Sequence, residues 1–144
     1  MIYTSQTKKA MRIAFDAHKE QTDKTGLPYI FHPFHLAEQM ADEVSVCVAL
    51  LHDVVEDTAV TFEDMAAQGI SSDAIDALKL LAHDDGVLYF DYVQKIKDSK
   101  NQTAIAVKLA DLRHNSDATR VDAVDEKMAE RWEKYRVAIG ILEG

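Results

Sequence analysis

The sequence predicts an all-α protein, a compact helical bundle formed by a single domain over residues 1–144. Apolar residues recur three and four positions apart along most of the chain, and no stretch alternates apolar and polar residues as a half-buried strand does. Both prolines fall in one short segment, residues 28–33, so the rest of the chain is free to form helices. With 144 residues, 47% of them hydrophobic, the chain can bury a core without disulfides.

Composition and charge exclude several classes of protein. The net charge of −9 argues against a nucleic-acid-binding surface. The single cysteine, Cys47, rules out an internal disulfide and lies in an apolar run, where we expect a buried core residue rather than a reactive thiol. That run, residues 46–51, is too short to cross a bilayer, and no signal-peptide pattern opens the sequence. We therefore expect a soluble, cytoplasmic protein without a membrane or nucleic-acid partner.

The first half of the chain predicts three helices. Thr4 can cap a helix that runs to about residue 21. A loop follows, in which Gly26 can take a positive φ, and Pro33 is placed in the first turn of a helix over residues 33–43. Residues 44–58, VSVCVALLHDVVEDT, predict one mostly apolar helix that ends in charged residues.

The second half continues with helices and short turns. Thr61 and Asp64 resemble a capping box for a short helix that ends near Gly69, and a serine then caps a helix through about residue 83. Residues 83–86 are interpreted as a solvated turn. Further helices are predicted over residues 89–99, from Asn101 onward, and over residues 125–142, where Trp132 and Tyr135 are expected in the core.

The charged end of the 44–58 helix is the candidate functional feature. Four ionisable groups at the end of an apolar helix cost free energy unless something pairs with them. His52 and Glu56 share one helical face, as do Asp53 and Asp57, so a bound metal would explain all four. The competing interpretation is a frayed helix end with solvated charges.

Two further residues favour the metal. His32 directly precedes Pro33 at the start of a helix, and Asp111 follows an apolar run that should be buried. Together with His52 and Asp53 they form a set of two imidazoles and two carboxylates, which suits manganese, iron or zinc better than calcium. Glu56 and Asp57 could then orient a bound water and take its proton. His35 is expected at the surface or behind the ligands.

Three ordered segments, GLPYIFHP, LLHDVVEDT and VKLADLRHN, resemble the HD-domain metal-dependent phosphohydrolases. The similarity is greatest to the alarmone-hydrolase branch, which includes the hydrolase domain of RelA/SpoT homologues and the metazoan SpoT homologue. The resemblance implies an HD-type helical domain in which His32, His52, Asp53 and Asp111 bind the metal, usually Mn²⁺. It also implies that the two acidic residues that follow, Glu56 and Asp57, activate water.

The resemblance further implies a reaction and substrate contacts. In that family the 3′-pyrophosphate of guanosine 3′,5′-bis(diphosphate), ppGpp, is removed. Lys24 and Asn115 match positions that contact the nucleotide, and Arg113 is a third candidate contact. The partner would thus be a nucleotide or a small phosphorylated compound, and nothing in the sequence predicts an oligomeric state.

The sequence departs from the alarmone-hydrolase pattern at three places. Asp23 stands where an arginine commonly packs on guanine, Leu112-Arg113 reverses the common order, and Ala118 replaces a common threonine. Two alternatives are therefore kept. The chain could hydrolyse a different nucleotide or small phosphate compound, or it could be a metal-holding nucleotide-binding module without turnover.

Overall fold

The computed structural model describes residues 1–144 and consists of nine α-helices and one 3₁₀ turn, so the predicted all-α class is confirmed. Extended backbone pairs only at an isolated bridge between Thr22 and Pro28. The helices are α1 (Ser5–His18), α2 (Phe31–Glu38), α3 (Glu43–Leu51), α4 (Val54–Asp57), α5 (Phe62–Ala67), α6 (Ser72–Leu81), α7 (Tyr89–Asp98), α8 (Gln102–Asn115) and α9 (Glu126–Glu143), with the 3₁₀ turn Ala118–Arg120 before α9.

Side-chain caps fix most of the helix starts. Thr4 and Thr61 each form a reciprocal capping box with the residue three positions on, as the sequence predicts for Thr61. Ser71, Asn101 and Asp125 each accept a hydrogen bond from the backbone N–H three residues later. Each cap satisfies a donor that the first helical turn leaves unpaired, which is worth about 1 kcal/mol.

Helix α3 lies at the centre of the molecule. All its residues from Ser45 to Leu51 are buried, and it packs against α1, α2, α6 and α8. Cys47 is 1% exposed, so the predicted core position of this cysteine is confirmed. Because α3 is apolar on every face, its position is set by the surrounding helices, and the residues that directly follow it are held by the same packing.

The prediction of one continuous helix over residues 44–58 is wrong, because the structure has two separate helices there. The helix breaks at His52 and Asp53, between α3 and α4, where Asp53 has φ −105° and ψ 0°. Adjacent residues on a regular helix point about 100° apart. The break instead turns both side chains toward one point, where His52 Nε2 lies 3.0 Å from Asp53 Oδ2. The local backbone distortion therefore makes the His-Asp pair convergent.

Two other expectations differ from the structure. Helix α1 ends at His18 rather than near residue 21 as predicted, and the residues that follow, 19–30, form a loop that lies beside α9. Trp132 and Tyr135 are half-buried and line a cleft, and of the two only Tyr135 also packs against the core. None of the helices is both long enough and apolar enough to cross a membrane.

Candidate metal centre and adjoining cleft

Four residues from three parts of the chain converge below the surface. His32 comes from α2, His52 and Asp53 from the α3–α4 junction, and Asp111 from α8. One nitrogen or oxygen atom from each lies within 4.8 Å of all the others. His32 Nε2 is 2.9 Å from Asp111 Oδ1, and His52 Nε2 is 3.5 Å from the same oxygen. The structure thus brings together the four residues that the sequence selects as metal ligands.

The chemistry of this cluster fits a divalent metal ion. His52 Nδ1 lies 2.7 Å from the carbonyl oxygen of Ala49, which can only accept, so Nδ1 carries the proton. The other ring nitrogen, Nε2, is buried and makes no hydrogen bond, although carboxylate oxygens of Asp53 and Asp111 are close to it. Burial opposes protonation of this ring, but the carboxylates of Asp53 and Asp111 raise the pKa of His52, so without a metal the site attracts a proton to Nε2. A divalent metal in place of that proton would meet an imidazole nitrogen and carboxylate oxygens, which is a donor set suited to a transition metal.

A histidine behind His32 fixes the orientation of that ligand. His32 Nδ1 lies 2.7 Å from Nδ1 of His114, whose ring also stacks on His35 at 4.2 Å between centroids. Burial, and then the charge of Arg120, lower the pKa of His114 to about 4, so His114 is neutral and can accept. His32 then donates from Nδ1 and keeps the Nε2 lone pair toward the cluster, which is a common arrangement for a metal-binding histidine.

Neighbouring polar groups hold the two carboxylate ligands. Lys108 Nζ donates to Asp111 Oδ2 at 3.1 Å, Asn115 Nδ2 donates to Asp111 Oδ1 at 3.0 Å, and the Tyr29 hydroxyl donates to Asp53. Burial alone would raise the pKa of Asp111, but Lys108 and His32 hold that pKa well below its usual range. Burial also opposes ionisation of Asp53, but His52 and the hydrogen bond from Tyr29 lower the pKa of that carboxyl. Both carboxylates are therefore kept anionic, as metal ligands must be.

Glu56 and Asp57 extend from α4 in different directions. Glu56 Oε1 accepts a hydrogen bond from the backbone N–H of His83 at 2.7 Å, whereas Asp57 Oδ2 accepts from Gln21 Nε2 at 3.2 Å. Glu56 also lines a cavity of about 30 Å³ together with Lys108 and three of the four ligands. That volume is sufficient for one water molecule.

The turn that begins at His83 is exposed, as predicted, but it is attached to this site. Besides the backbone bond to Glu56, the His83 ring stacks on Tyr92 with 4.4 Å between centroids. His83 Nε2 donates to the carbonyl oxygen of Val87 at 2.6 Å. The interpretation of residues 83–86 as a merely solvated turn is therefore incomplete, because the turn fixes the position of Glu56.

A cleft of about 320 Å³ opens on the other side of the cluster and reaches His32. One wall is the loop from Gln21 to Thr25, with Tyr29, and the other is formed by the end of α8, the 3₁₀ turn and the first half of α9. Aromatic and cationic side chains lie together in it: Tyr29, Trp132, Tyr135, Lys24, Arg120 and Arg131. Aromatic faces and cations are groups that bind nucleobases and phosphates.

The two walls of the cleft are joined by an ion pair. Arg120 Nη2 lies 3.3 Å from Asp23 Oδ2, and Arg120 Nη1 donates to the carbonyl oxygen of His114 at 2.8 Å. The other carboxylate oxygen of Asp23 accepts from the backbone N–H groups of Thr25 and Leu27, which closes the loop. Burial opposes ionisation, but these hydrogen bonds and Arg120 give Asp23 a lowered pKa. Asp23 is therefore anionic, and its charge is compensated by Arg120.

Comparison with known proteins agrees with this geometry. The chain is 35% identical over 128 residues to the bifunctional (p)ppGpp synthase/hydrolase SpoT of Escherichia coli, covering 75% of this chain and 17% of that protein. It is 33% identical over 117 residues to the guanosine-3′,5′-bis(diphosphate) 3′-pyrophosphohydrolase of Haemophilus influenzae, covering 72% and 17%. It is 33% identical over 127 residues to the GTP pyrophosphokinase of Streptomyces coelicolor, covering 76% and 14%. No model of a protein family matches the chain.

A solved structure has the same fold. It is described as a metazoan ortholog of SpoT that hydrolyzes ppGpp, and it superposes with a TM-score of 0.80 over 100% of this chain and 89% of that one, at 21% identity. The chain is an HD-type domain of the SpoT kind. The HD-type domain spans less than a fifth of the length of these curated relatives, one of which is named as bifunctional.

The predicted substrate contacts of the HD-type domain do not all lie together. Lys24 and Asn115 line the cleft. Arg113 does not: its side chain is exposed and pairs with Glu143 near the end of α9. The arginines that line the cleft are instead Arg120 and Arg131, which the sequence does not single out because no motif or spacing distinguishes them. His114 and Lys108 lie in the VKLADLRHN segment, but their contacts with the metal ligands depend on tertiary packing.

Proposed function

We propose that this HD-type domain is a metal-dependent pyrophosphohydrolase that removes the 3′-pyrophosphate of ppGpp or a related nucleotide, with Mn²⁺ as the metal. The observation that carries the proposal is the ligand cluster of His32, His52, Asp53 and Asp111 at one end of a cleft of nucleotide size. The names of the relatives, which specify ppGpp hydrolysis, support the choice of substrate. We also propose that residues 1–144 act as one domain.

The proposed reaction is a hydrolysis. Water adds to the phosphorus attached to the 3′-oxygen of ppGpp, the bond between that phosphorus and the 3′-oxygen breaks, and the products are GDP and pyrophosphate. The attacking water loses a proton, and the leaving 3′-oxygen gains one. A bound divalent metal supplies Lewis-acid activation of the water and charge neutralisation at the phosphoryl oxygens.

Glu56 is the proposed general base. Its Oε1 is occupied by the backbone N–H of His83, so the second carboxylate oxygen is available to take the proton of the attacking water. Asp57, held by Gln21, is the proposed residue that orients the water or the incoming phosphate. Lys108 holds Asp111 in position and contributes a positive charge beside the small cavity, which favours a phosphoryl group that develops negative charge.

The cleft is proposed to bind the nucleoside part of the substrate. Asn115 is anchored to Asp111 and thus connects the metal centre to the cleft wall. Tyr29, Trp132 and Tyr135 offer aromatic surface to a base, and Lys24 is a cation at the same wall. The substrate would then lie with its scissile 3′ group at His32 and its base toward α9.

A direct assay tests the proposal. Purified protein with Mn²⁺ should convert ppGpp to GDP and pyrophosphate, measured by anion-exchange chromatography. The Glu56→Gln variant should keep its metal and lose turnover. Wild-type protein that contains metal but leaves ppGpp intact would reject the alarmone substrate.

A second candidate is hydrolysis of a different nucleotide or small phosphate compound. It is favoured by the Asp23–Arg120 pair, since the position of a common base-stacking arginine is occupied by an internally neutralised carboxylate. A panel of nucleotides and small phosphate esters separates the candidates by their kcat/KM values. Absence of turnover on the whole panel would favour a binding module.

A further inference from the structure

The last residue of α1 is a fully buried histidine that belongs to neither the metal ligands nor the cleft. His18 is 1% exposed, and its ring contacts that of Tyr29 with 4.8 Å between centroids. His18 Nδ1 lies 2.8 Å from Oε1 of Gln21, whereas His18 Nε2 is buried and has no hydrogen-bond partner. A buried polar atom without a partner lowers stability, and an apolar side chain would avoid that cost. The bond to Gln21 is therefore the contact that favours a histidine here.

Gln21 joins this histidine to the acidic end of α4. Its side-chain Nε2 donates to Asp57 Oδ2 at 3.2 Å, while its Oε1 faces His18. Because a carboxylate can only accept, the amide nitrogen must face Asp57 and the amide oxygen must face His18. His18 must then donate from Nδ1, so each polar group between His18 and Asp57 has a defined role.

The backbone of Gln21 is held in the same way as its side chain. Its N–H donates to the carbonyl oxygen of His18 at 2.9 Å, and its carbonyl oxygen accepts from the N–H of Tyr29 at 2.8 Å. Asp57, in contrast, is exposed at the end of a helix of four residues and takes part in no ion pair. Gln21 therefore connects an exposed carboxylate to a buried, fixed side chain.

We propose that His18 and Gln21 are positioning residues that hold the Asp57 carboxylate in the orientation required for hydrolysis. The inference rests on the proposed function, in which Asp57 orients the water or the incoming phosphate. His18 determines which way the Gln21 amide points, and that amide restricts the rotation of the Asp57 side chain. A displacement of about 1 Å at a group of this kind can lower turnover roughly 10²-fold.

Gln21→Glu tests the connection to Asp57. Glutamate has the same shape as glutamine and can still accept from His18, but it cannot donate to Asp57 and it repels that carboxylate. We expect kcat for ppGpp with Mn²⁺ to fall at least about tenfold, while KM changes less than about threefold. Gln94→Glu is the matched control, since exposed Gln94 donates to Asp98 in the same way at 2.9 Å, and it should keep the wild-type kcat. A wild-type kcat in Gln21→Glu would overturn the proposal.

Two variants of His18 separate positioning from stability. Asparagine and leucine have nearly the same shape, but only asparagine offers an N–H donor near the position of Nδ1. His18→Asn should keep kcat within about threefold of wild type, whereas His18→Leu should lose at least about tenfold. Tm should have the reverse order, because a buried leucine has no polar atoms to desolvate. If kcat followed Tm in this pair, His18 would be a structural residue and the proposal would fail.

The proton on His18 can be observed without turnover. Nitrogen NMR of the protein loaded with Zn²⁺, which has no unpaired electrons, should show the proton on Nδ1, in the ring signal that is missing from His18→Asn. A proton on Nε2 instead would contradict the bond to Gln21. If ppGpp is not hydrolysed but another phosphate compound is, and its kcat falls in Gln21→Glu, only the alarmone substrate is rejected. If ppGpp is hydrolysed and Gln21→Glu keeps the wild-type kcat, only the positioning role is rejected.

Discussion

Replacing Lys108 with methionine tests how much the positive charge of Lys108 stabilises the buried carboxylate of Asp111. The ammonium group of Lys108 lies 3.1 Å from Asp111 Oδ2, and its side chain is 15% exposed. Burial lowers the pKa of Lys108, but Asp111 and two tyrosines raise it above its ordinary value, so the lysine is charged. Methionine preserves much of the volume and removes the charge, which leaves Asp111 buried without its cation.

The size of the effect depends on whether metal is bound. Removing one partner of a buried ion pair costs about 3–5 kcal/mol, and Asp111 retains the hydrogen bond from Asn115, so we expect about 3 kcal/mol without metal. Unfolding entropy of roughly 0.3 kcal/mol/K for a chain of this length converts this to a Tm decrease of roughly 10 °C. A bound metal cation would neutralise the negative charge of Asp111 in place of Lys108. The loss should then fall to about 1.5 kcal/mol, or roughly 5 °C.

Thermal unfolding followed by circular dichroism at 222 nm, with chelator and with saturating Mn²⁺, measures both decreases. Lys95→Met is the matched control because Lys95 is exposed on α7, and its Tm should stay within about 2 °C of wild type. Equal decreases with and without metal would refute the reasoning. An unchanged Tm in both conditions would show that Lys108 does not stabilise Asp111.

Three further predictions follow from the site and the cleft. Glu56→Gln should lower kcat roughly 10²- to 10⁴-fold at unchanged metal content, measured by elemental analysis, and retained turnover would exclude Glu56 as the base. Asp53→Ala should lose bound metal and the rise in Tm on adding Mn²⁺, whereas the exposed control Asp16→Ala should keep both; full metal content in Asp53→Ala would contradict the ligand assignment. Asp23→Ala should lower the free energy of unfolding at pH 7 by about 1–2 kcal/mol, measured with urea. The pKa of Asp23 lies below its ordinary value of 3.8 in the folded protein, so Asp23 stabilises the fold fully above pH 3.8 and loses this effect as the pH falls through the folded pKa. If the difference in stability between Asp23→Ala and wild type were as large at pH 3 as at pH 7, the role of the Asp23–Arg120 pair would be contradicted.

The metal ligands could be selected from the sequence because few residue types bind metals and each candidate has a distinct local signal. His32 precedes a proline at a helix start, while His52, Asp53 and Asp111 follow apolar runs that must be buried. The break at His52 could not be predicted in this way, because helical spacing of apolar residues continues across it. The distortion is stabilised by packing around α3 and by the bond from His52 to Ala49, and both depend on the folded structure.

The cleft was less predictable than the metal centre. Trp132 and Tyr135 have the spacing of a buried helical face, but that spacing does not distinguish a core from the wall of an open cleft. Arg113 and Arg120 are equally basic, and the choice between them is decided by where α8 ends and the 3₁₀ turn begins. Tertiary position, rather than local pattern, thus determines which arginine can meet a substrate.

Helix α3 also has a consequence for protein engineering. His52 and Asp53 directly follow seven consecutive buried residues, so their placement cannot change unless the interior is repacked. Asp23, Lys24 and Arg120 belong to surface segments whose mutual attachment is mainly one ion pair and a few loop hydrogen bonds. A library restricted to these segments and the cleft face of α9 could therefore alter ligand preference while leaving the metal centre in place. Such redesign would require few compensating mutations elsewhere.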